Sequence, residues 1–148
     1  MVKLNNIRWY FLFAVCCVAG CSGGQKKNEF TYYRAIHNRD TAYLSIHIGG
    51  GDFYGKYGLV KGWEVPVVGD IMGEIRTDTL VGTFSYTPYQ HRHKKRVAFA
   101  LLQRDNQLLL GGGAETSYMG IPHYAPGTLY FDDTGFVFEQ VEKPLIFE

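Results

Sequence analysis

Between Gly69 and Tyr86 the chain alternates apolar and polar residues with a period of two on both sides of a short polar break, and no other feature restricts its folding as strongly. Ile71, Gly73 and Ile75 alternate with Met72, Glu74 and Arg76, and Leu80, Gly82, Phe84 and Tyr86 alternate with Val81, Thr83 and Ser85. A helix would scatter these positions around its circumference, whereas a strand lines them up on one face. A two-residue turn at Thr77 and Asp78 sets Ile75 opposite Leu80, Gly73 opposite Gly82 and Ile71 opposite Phe84. A slip of one residue would turn that whole face to solvent, so the pattern predicts the register along with the pairing. The facing glycines leave a hollow, which either lets the sheet coil sharply or admits a large side chain from across the core.

A second hairpin is expected from Arg96 to Gly111, turning at Asp105 and Asn106, since both residue types tolerate a left-handed backbone. It sets Leu101 against Leu110 and Leu102 against Leu109. Both of its faces are apolar, which predicts a central pair with a partly covered outer face. Weaker patterns predict a hairpin from Thr31 to Ile48 turning at Asn38 to Asp40, a strand from Phe53 to Tyr57, and a closing hairpin from Thr128 to Val141 turning at Asp132 to Gly135. The composition agrees: 11 Tyr, 10 Phe and 18 Gly against 5 Pro favour strands joined by tight turns. The expectation is an all-β fold, one small antiparallel meander barrel of about eight strands in the manner of lipocalins and other calycins, with a β-sandwich as the alternative. Closure removes the exposed edges on which such strands would aggregate.

Gly58 to Val68, holding Trp63, and Gly113 to Gly127, holding Tyr118, Met119, Ile121, His123 and Tyr124, do not fit the strand pattern. As aromatic loops they either plug an end of the barrel or bind something, and Trp63, Tyr118, Met119, His123 and Tyr124 are the candidate ligand-binding residues. The stretch from Gly69 to Gly113 is loosely similar to small β-rich lipoproteins of Bacteroidota, through Gly69-x-Ile71-x-Gly73, Asp78-Thr79-Leu80 and Arg96-Val97-Ala98-Phe99. The resemblance implies a β fold in the cell envelope and carries no catalytic residues.

The N-terminus points to the same compartment. Lys3 and Arg8 precede an unbroken apolar run from Trp9 to Ala19, about half the roughly 20 residues that a spanning helix needs. The run ends in Val18-Ala19-Gly20-Cys21, which resembles the lipobox of bacterial lipoproteins; an ordinary signal peptide with a chance cysteine is the alternative. The resemblance implies cleavage before Cys21 and lipidation of its thiol, giving a signal peptide over 1–20, a lipidated tether over 21–29 and a β-barrel domain over 30–148. Ser22 stands where an aspartate would retain the protein in the inner membrane, so the resemblance also implies an outer-membrane anchor, taken here to lie on the periplasmic face with surface exposure as the alternative. The three cysteines are Cys16, Cys17 and Cys21, so a mature chain would keep one, and no disulfide would brace the fold. A core must do so instead.

With Lys3 and Arg8 removed, 13 basic residues face 14 acidic ones, a balance that disfavours a nucleic-acid partner. The densest charge is His91 to Arg96, where Arg92, Lys94, Lys95 and Arg96 are candidates for meeting an anionic surface. Arg96 also enters an apolar run, which suggests a carboxylate partner at the barrel rim. His91-x-His93 could place two imidazoles together, but zinc wants three or four ligands and the neighbouring cations repel it, so no metal site is assigned. Asp133-Thr134-Gly135 matches the core of the aspartic-protease motif, yet it falls where a turn is expected, and a single copy would need a symmetric dimer. Gly49 to Gly51 and Gly111 to Gly113 lack the Lys-Ser/Thr pair of a phosphate loop and read as loop and bulge glycines. No catalytic set and no cofactor is assigned.

The resulting expectation is a lipid-anchored, non-enzymatic barrel that binds a small apolar ligand, an envelope glycan or a protein at its open end. It predicts a cavity of a few hundred cubic ångströms lined by Tyr, Phe and Trp near the two loops. A scaffold or inhibitor acting through its outer surface is the second reading, and a hydrolase with an unrecognised site the third.

Overall fold

The computed structural model describes residues 29–148. The expected signal peptide, Cys21 and nearly all of the tether lie outside them. Within them the chain forms a closed eight-stranded antiparallel barrel. The strands are β1 (Thr31–His37), β2 (Asp40–Gly49), β3 (Asp52–Lys61), β4 (Val67–Arg76), β5 (Thr79–Tyr86), β6 (Lys95–Arg104) and β7 (Gln107–Gly112). The eighth is built from two pieces, β10 (Tyr130–Phe131) and β11 (Val137–Val141), and β11 closes the cylinder on β1. A separate hairpin, β8 (Glu115–Tyr118) and β9 (Ile121–Tyr124), is inserted between β7 and β10. A single 3-10 turn, Leu145–Phe147, follows the barrel.

Neighbours in sequence are neighbours in the sheet from β1 to β7, as a meander requires. The central hairpin has the expected register, with Ile75 opposite Leu80, Gly73 opposite Gly82 and Ile71 opposite Phe84. In the next one, Leu101 faces Leu110 and Leu102 faces Leu109, across a turn whose Asp105 and Asn106 both take positive φ (49° and 65°). The inward set from all strands makes one core in which Leu44, Ile46, Phe53, Ile71, Leu80, Leu101, Leu108 and Phe138 are almost wholly buried. Burying each such side chain contributes roughly 1.5–3 kcal/mol.

The facing glycines do what their position suggests. A Cβ on Gly73 would lie 2.1 Å from the Val81 carbonyl oxygen and 2.7 Å from the Phe53 ring, and one on Gly82 would lie 2.0 Å from the Met72 carbonyl oxygen. The backbones approach too closely for any side chain, which is how a small barrel bends its wall. The ring over the hollow is Phe53, which pairs with Gly73 on the adjacent strand; it comes from beside the glycine and not from across the core.

Three local expectations need correction. The strand expected from Phe53 to Tyr57 continues to Lys61, so Gly58 to Val68 is mostly strand and only 62–66 turns. Gly113 to Gly127 is no end plug: it contains the β8–β9 hairpin, which packs on the outside of β5 and β6. The closing hairpin does not form. Tyr130 and Phe131 pair with Gly112 and Gly111, and Val137 and Phe138 pair with Leu109 and Leu108, so both pieces run along β7 as one strand with residues 132–136 looped out.

Alternate connections fall at opposite ends of a meander. The tight turns at 50–51, 77–78 and 105–106 share one end with the start of β1, where the described chain begins. The longer turns at 62–66 and 87–94, and the departure of β7 toward the hairpin, share the other. We call the latter end the mouth.

Candidate functional site

The wall of the barrel is incomplete near the mouth. β6 pairs with β5 along its length from Lys95 to Leu102, but it pairs with β7 only from Leu101 to Arg104. Above Leu110, β7 turns away to pair with β10, and Gly111 permits this because a Cβ there would strike Phe131 (2.7 Å) and Leu129 (3.0 Å). The hairpin bridges the resulting seam with side chains. The Glu115 carboxylate accepts a hydrogen bond from the Ala98 backbone N–H at 2.7 Å. The Tyr124 hydroxyl lies 3.4 Å from the Ala98 carbonyl and 3.3 Å from the Gly111 carbonyl, so its one hydrogen is shared between the two sides of the seam. Burial raises the Tyr124 phenol above its ordinary range, and the Glu115 and Tyr130 side chains add to this. The covered outer face expected for this pair is present, since Ala98, Ala100 and Leu109 are buried.

Inside the seam lies a cavity of about 310 Å³ that opens at the mouth. Leu59, Val67, Tyr86, Val97 and Leu110 form its walls, Lys61 and Glu64 stand at its rim, and Tyr57 with Phe84 and Phe99 reaches it from the core. The Tyr57 ring is gripped edge-on by Phe84 (centroids 5.0 Å apart, 89°) and meets Phe99 at 5.4 Å. The residue is 5 % exposed, and no hydrogen bond to a described residue engages its hydroxyl. Burial pushes this phenol far above its usual range, reinforced by Tyr124 and then Asp40, so it is a neutral donor at physiological pH. Among the described residues no buried side-chain oxygen lacks a hydrogen-bond partner, so this unbonded hydroxyl is open to the cavity, where water or a ligand can accept its hydrogen.

Tyr124 and Phe99 also border an outer groove of about 410 Å³ between β9 and the wall of β4 and β5. Tyr124 therefore separates the inner cavity from the outer surface. A larger depression, about 460 Å³, lies on the outer wall beside Phe30, Lys56, Asp70 and Lys143. We favour the mouth cavity as the site because it alone of the three is floored by Tyr57.

The structure divides the residues singled out from sequence. Tyr124 lines the cavity, and His123 borders the outer groove, with its Nδ1 3.3 Å from the Ile121 carbonyl. Trp63 is fully exposed on its turn and does not line the cavity, while Tyr118 and Met119 are exposed at the hairpin tip. Arg92, Lys94, Lys95 and Arg96 are all exposed, and Lys94 and Arg96 share a depression with Gly120 of that tip. Arg96 donates to the Ser85 hydroxyl (3.3 Å) and forms no ion pair with a rim carboxylate.

Asp132 caps its own turn by accepting from the Thr134 N–H and hydroxyl, which holds its carboxyl below the usual range, and Asp133 pairs with Arg104. Both are engaged in holding the outer loop, an arrangement unlike a water-activating carboxylate pair. Among the described residues, no three His, Cys, Asp or Glu side chains gather as a metal site.

Tyr57, Lys61 and Glu115 were missed as site residues. For Tyr57 the signal was present: it shares the inward parity of Phe53 and Gly55. Compared with known family models, curated proteins and solved structures, the chain matches none.

Proposed function

We propose that this chain is a lipid-anchored protein of the bacterial cell envelope, non-enzymatic, whose barrel holds a small, mainly apolar ligand at its mouth. The observation that carries the ligand reading is the unpartnered Tyr57 hydroxyl beneath an apolar, aromatic cavity. A ligand with an apolar body and one oxygen acceptor would satisfy that donor while covering the walls, and Lys61 at the rim suits an acid group. The lipidation reading rests on Val18 to Cys21 and includes the outer membrane, on its periplasmic face, as the place of attachment.

Two measurements test this. The chain starting at Ser22, titrated with the fluorescent fatty acid cis-parinaric acid, is expected to bind one molecule saturably. Val97→Trp, which fills the cavity, should weaken binding at least about tenfold, and Tyr57→Phe should weaken it severalfold. Absence of binding, or equal binding by the filled variant, would overturn the ligand reading. Mass spectrometry of the membrane-extracted protein should find a diacylglyceryl group on Cys21; an unmodified thiol would overturn the anchor.

A further inference from the structure

The tip of the β8–β9 hairpin is an exposed run without a charged side chain: Tyr118, Met119, Gly120 and Ile121. Met119 is 85 % exposed and Tyr118 72 %, and neither packs into the barrel core. Met119 holds a left-handed backbone (φ 49°), a conformation that β-turns usually give to Asn or Gly. A long apolar side chain is thus held out into solvent on a two-residue turn, at some cost in backbone energy.

The hairpin does not point away from the barrel. It lies across β6 and β5, and its Gly120 shares a depression of about 340 Å³ with Met72, Ser85, Lys94, Arg96 and one acid, Asp70. Met72 is itself 57 % exposed. Neither Lys94 nor Arg96 forms an ion pair with a described residue, and the adjoining Arg92 and Lys95 are exposed as well. Exposed Tyr and Met side chains therefore stand beside unneutralised cations on one face.

We infer that this face docks on an anionic lipid bilayer. Its cations meet lipid phosphates, while Tyr118 and Met119 enter the boundary between head groups and acyl chains. The pairing matches what a bilayer interface presents: negative charge at the surface and, a few ångströms deeper, an apolar layer that receives amphipathic rings and flexible side chains. A basic patch alone would be satisfied by water and counterions. It is the strained apolar tip beside it that asks for a layered partner. The inference depends neither on the mouth cavity nor on lipidation of Cys21.

Every strand pair among the described residues lies within residues 31–141, so a chain starting at Ser22 retains the barrel and lacks the cysteine that an acyl group would occupy. Sedimented with vesicles of phosphatidylcholine mixed with phosphatidylglycerol, it should co-pellet, and with pure phosphatidylcholine it should stay in solution. The Lys94→Glu/Arg96→Glu variant should lower the bound fraction at least about tenfold. The Tyr118→Ser/Met119→Ser variant should lower it severalfold, with the circular dichroism of both variants unchanged because these side chains are exposed. Failure of the parent chain to co-pellet, equal binding to the neutral vesicles, or undiminished binding by the folded charge-reversal variant would each overturn the inference.

Discussion

Two stretches of one barrel wall are joined in different ways. From β1 through β5 each strand is laddered to the next along most of its length, and the sharp bend comes from glycines such as Gly73 and Gly82, whose backbones nearly touch. At β6 and β7 the ladder stops at Leu101 and Leu110, and Glu115 and Tyr124 of the inserted hairpin carry the join. Backbone ladders are local and largely independent of side-chain identity. A join made by two side chains can be opened by one rotation or one substitution, and here it lies beside the cavity.

That contrast can be broken most severely on the laddered side. Gly82→Val has no space for its Cβ, and we expect a loss of more than about 3 kcal/mol in urea unfolding or no folded protein at all. The seam should respond more mildly. Glu115→Ala leaves the Ala98 N–H without its acceptor and should cost about 1–2 kcal/mol in the same measurement.

Alkaline pH sharpens the comparison at Tyr57. Its phenol is raised in the folded barrel above the ordinary 10.0, so the unfolded chain ionises first. The stability tied to its neutral form is complete below about pH 10 and declines as pH rises, by up to about 1.4 kcal/mol per pH unit. Tyr57→Phe should flatten that decline and leave the neutral-pH stability nearly unchanged, because its hydroxyl has no internal partner to lose. The smallest effect is expected at the laddered end: Thr77, β-branched at φ 60°, should gain about 0.5–1 kcal/mol on replacement by Asn, read as a rise of a few degrees in Tm.

The laddered region was legible in the sequence for the reason that makes it robust. Strict alternation from Ile71 to Tyr86 fixes both pairing and register, and Asp105-Asn106 fixes the next turn. The closing strand was not legible, because Asp132 to Gly135 carries the residue types of a hairpin turn and of a looped-out bulge alike. What separates the two is whether β7 offers one continuous edge to both pieces, and that is a non-local fact. The seam was hidden for a similar reason: Gly111 to Gly113 reads as bulge glycines, but nothing local says that a hairpin thirteen residues from Gly111 to Tyr124 will return a hydroxyl to span the gap. Among the candidate residues, Tyr124 could be singled out as aromatic in an unpatterned segment, whereas Tyr57 sat at the boundary of a strand that was drawn too short.

The account rests on a wall that is continuous in one part and latched by side chains in another. Residue-resolved amide hydrogen exchange measures this directly. The amides of β2 to β5 should be protected close to the global unfolding free energy, while those of Ala98 and Ala100, which face the seam, and of the β8–β9 hairpin should exchange at least about a hundredfold faster and slow when cis-parinaric acid is bound. Uniform protection around the whole cylinder, unchanged by the fatty acid, would contradict it.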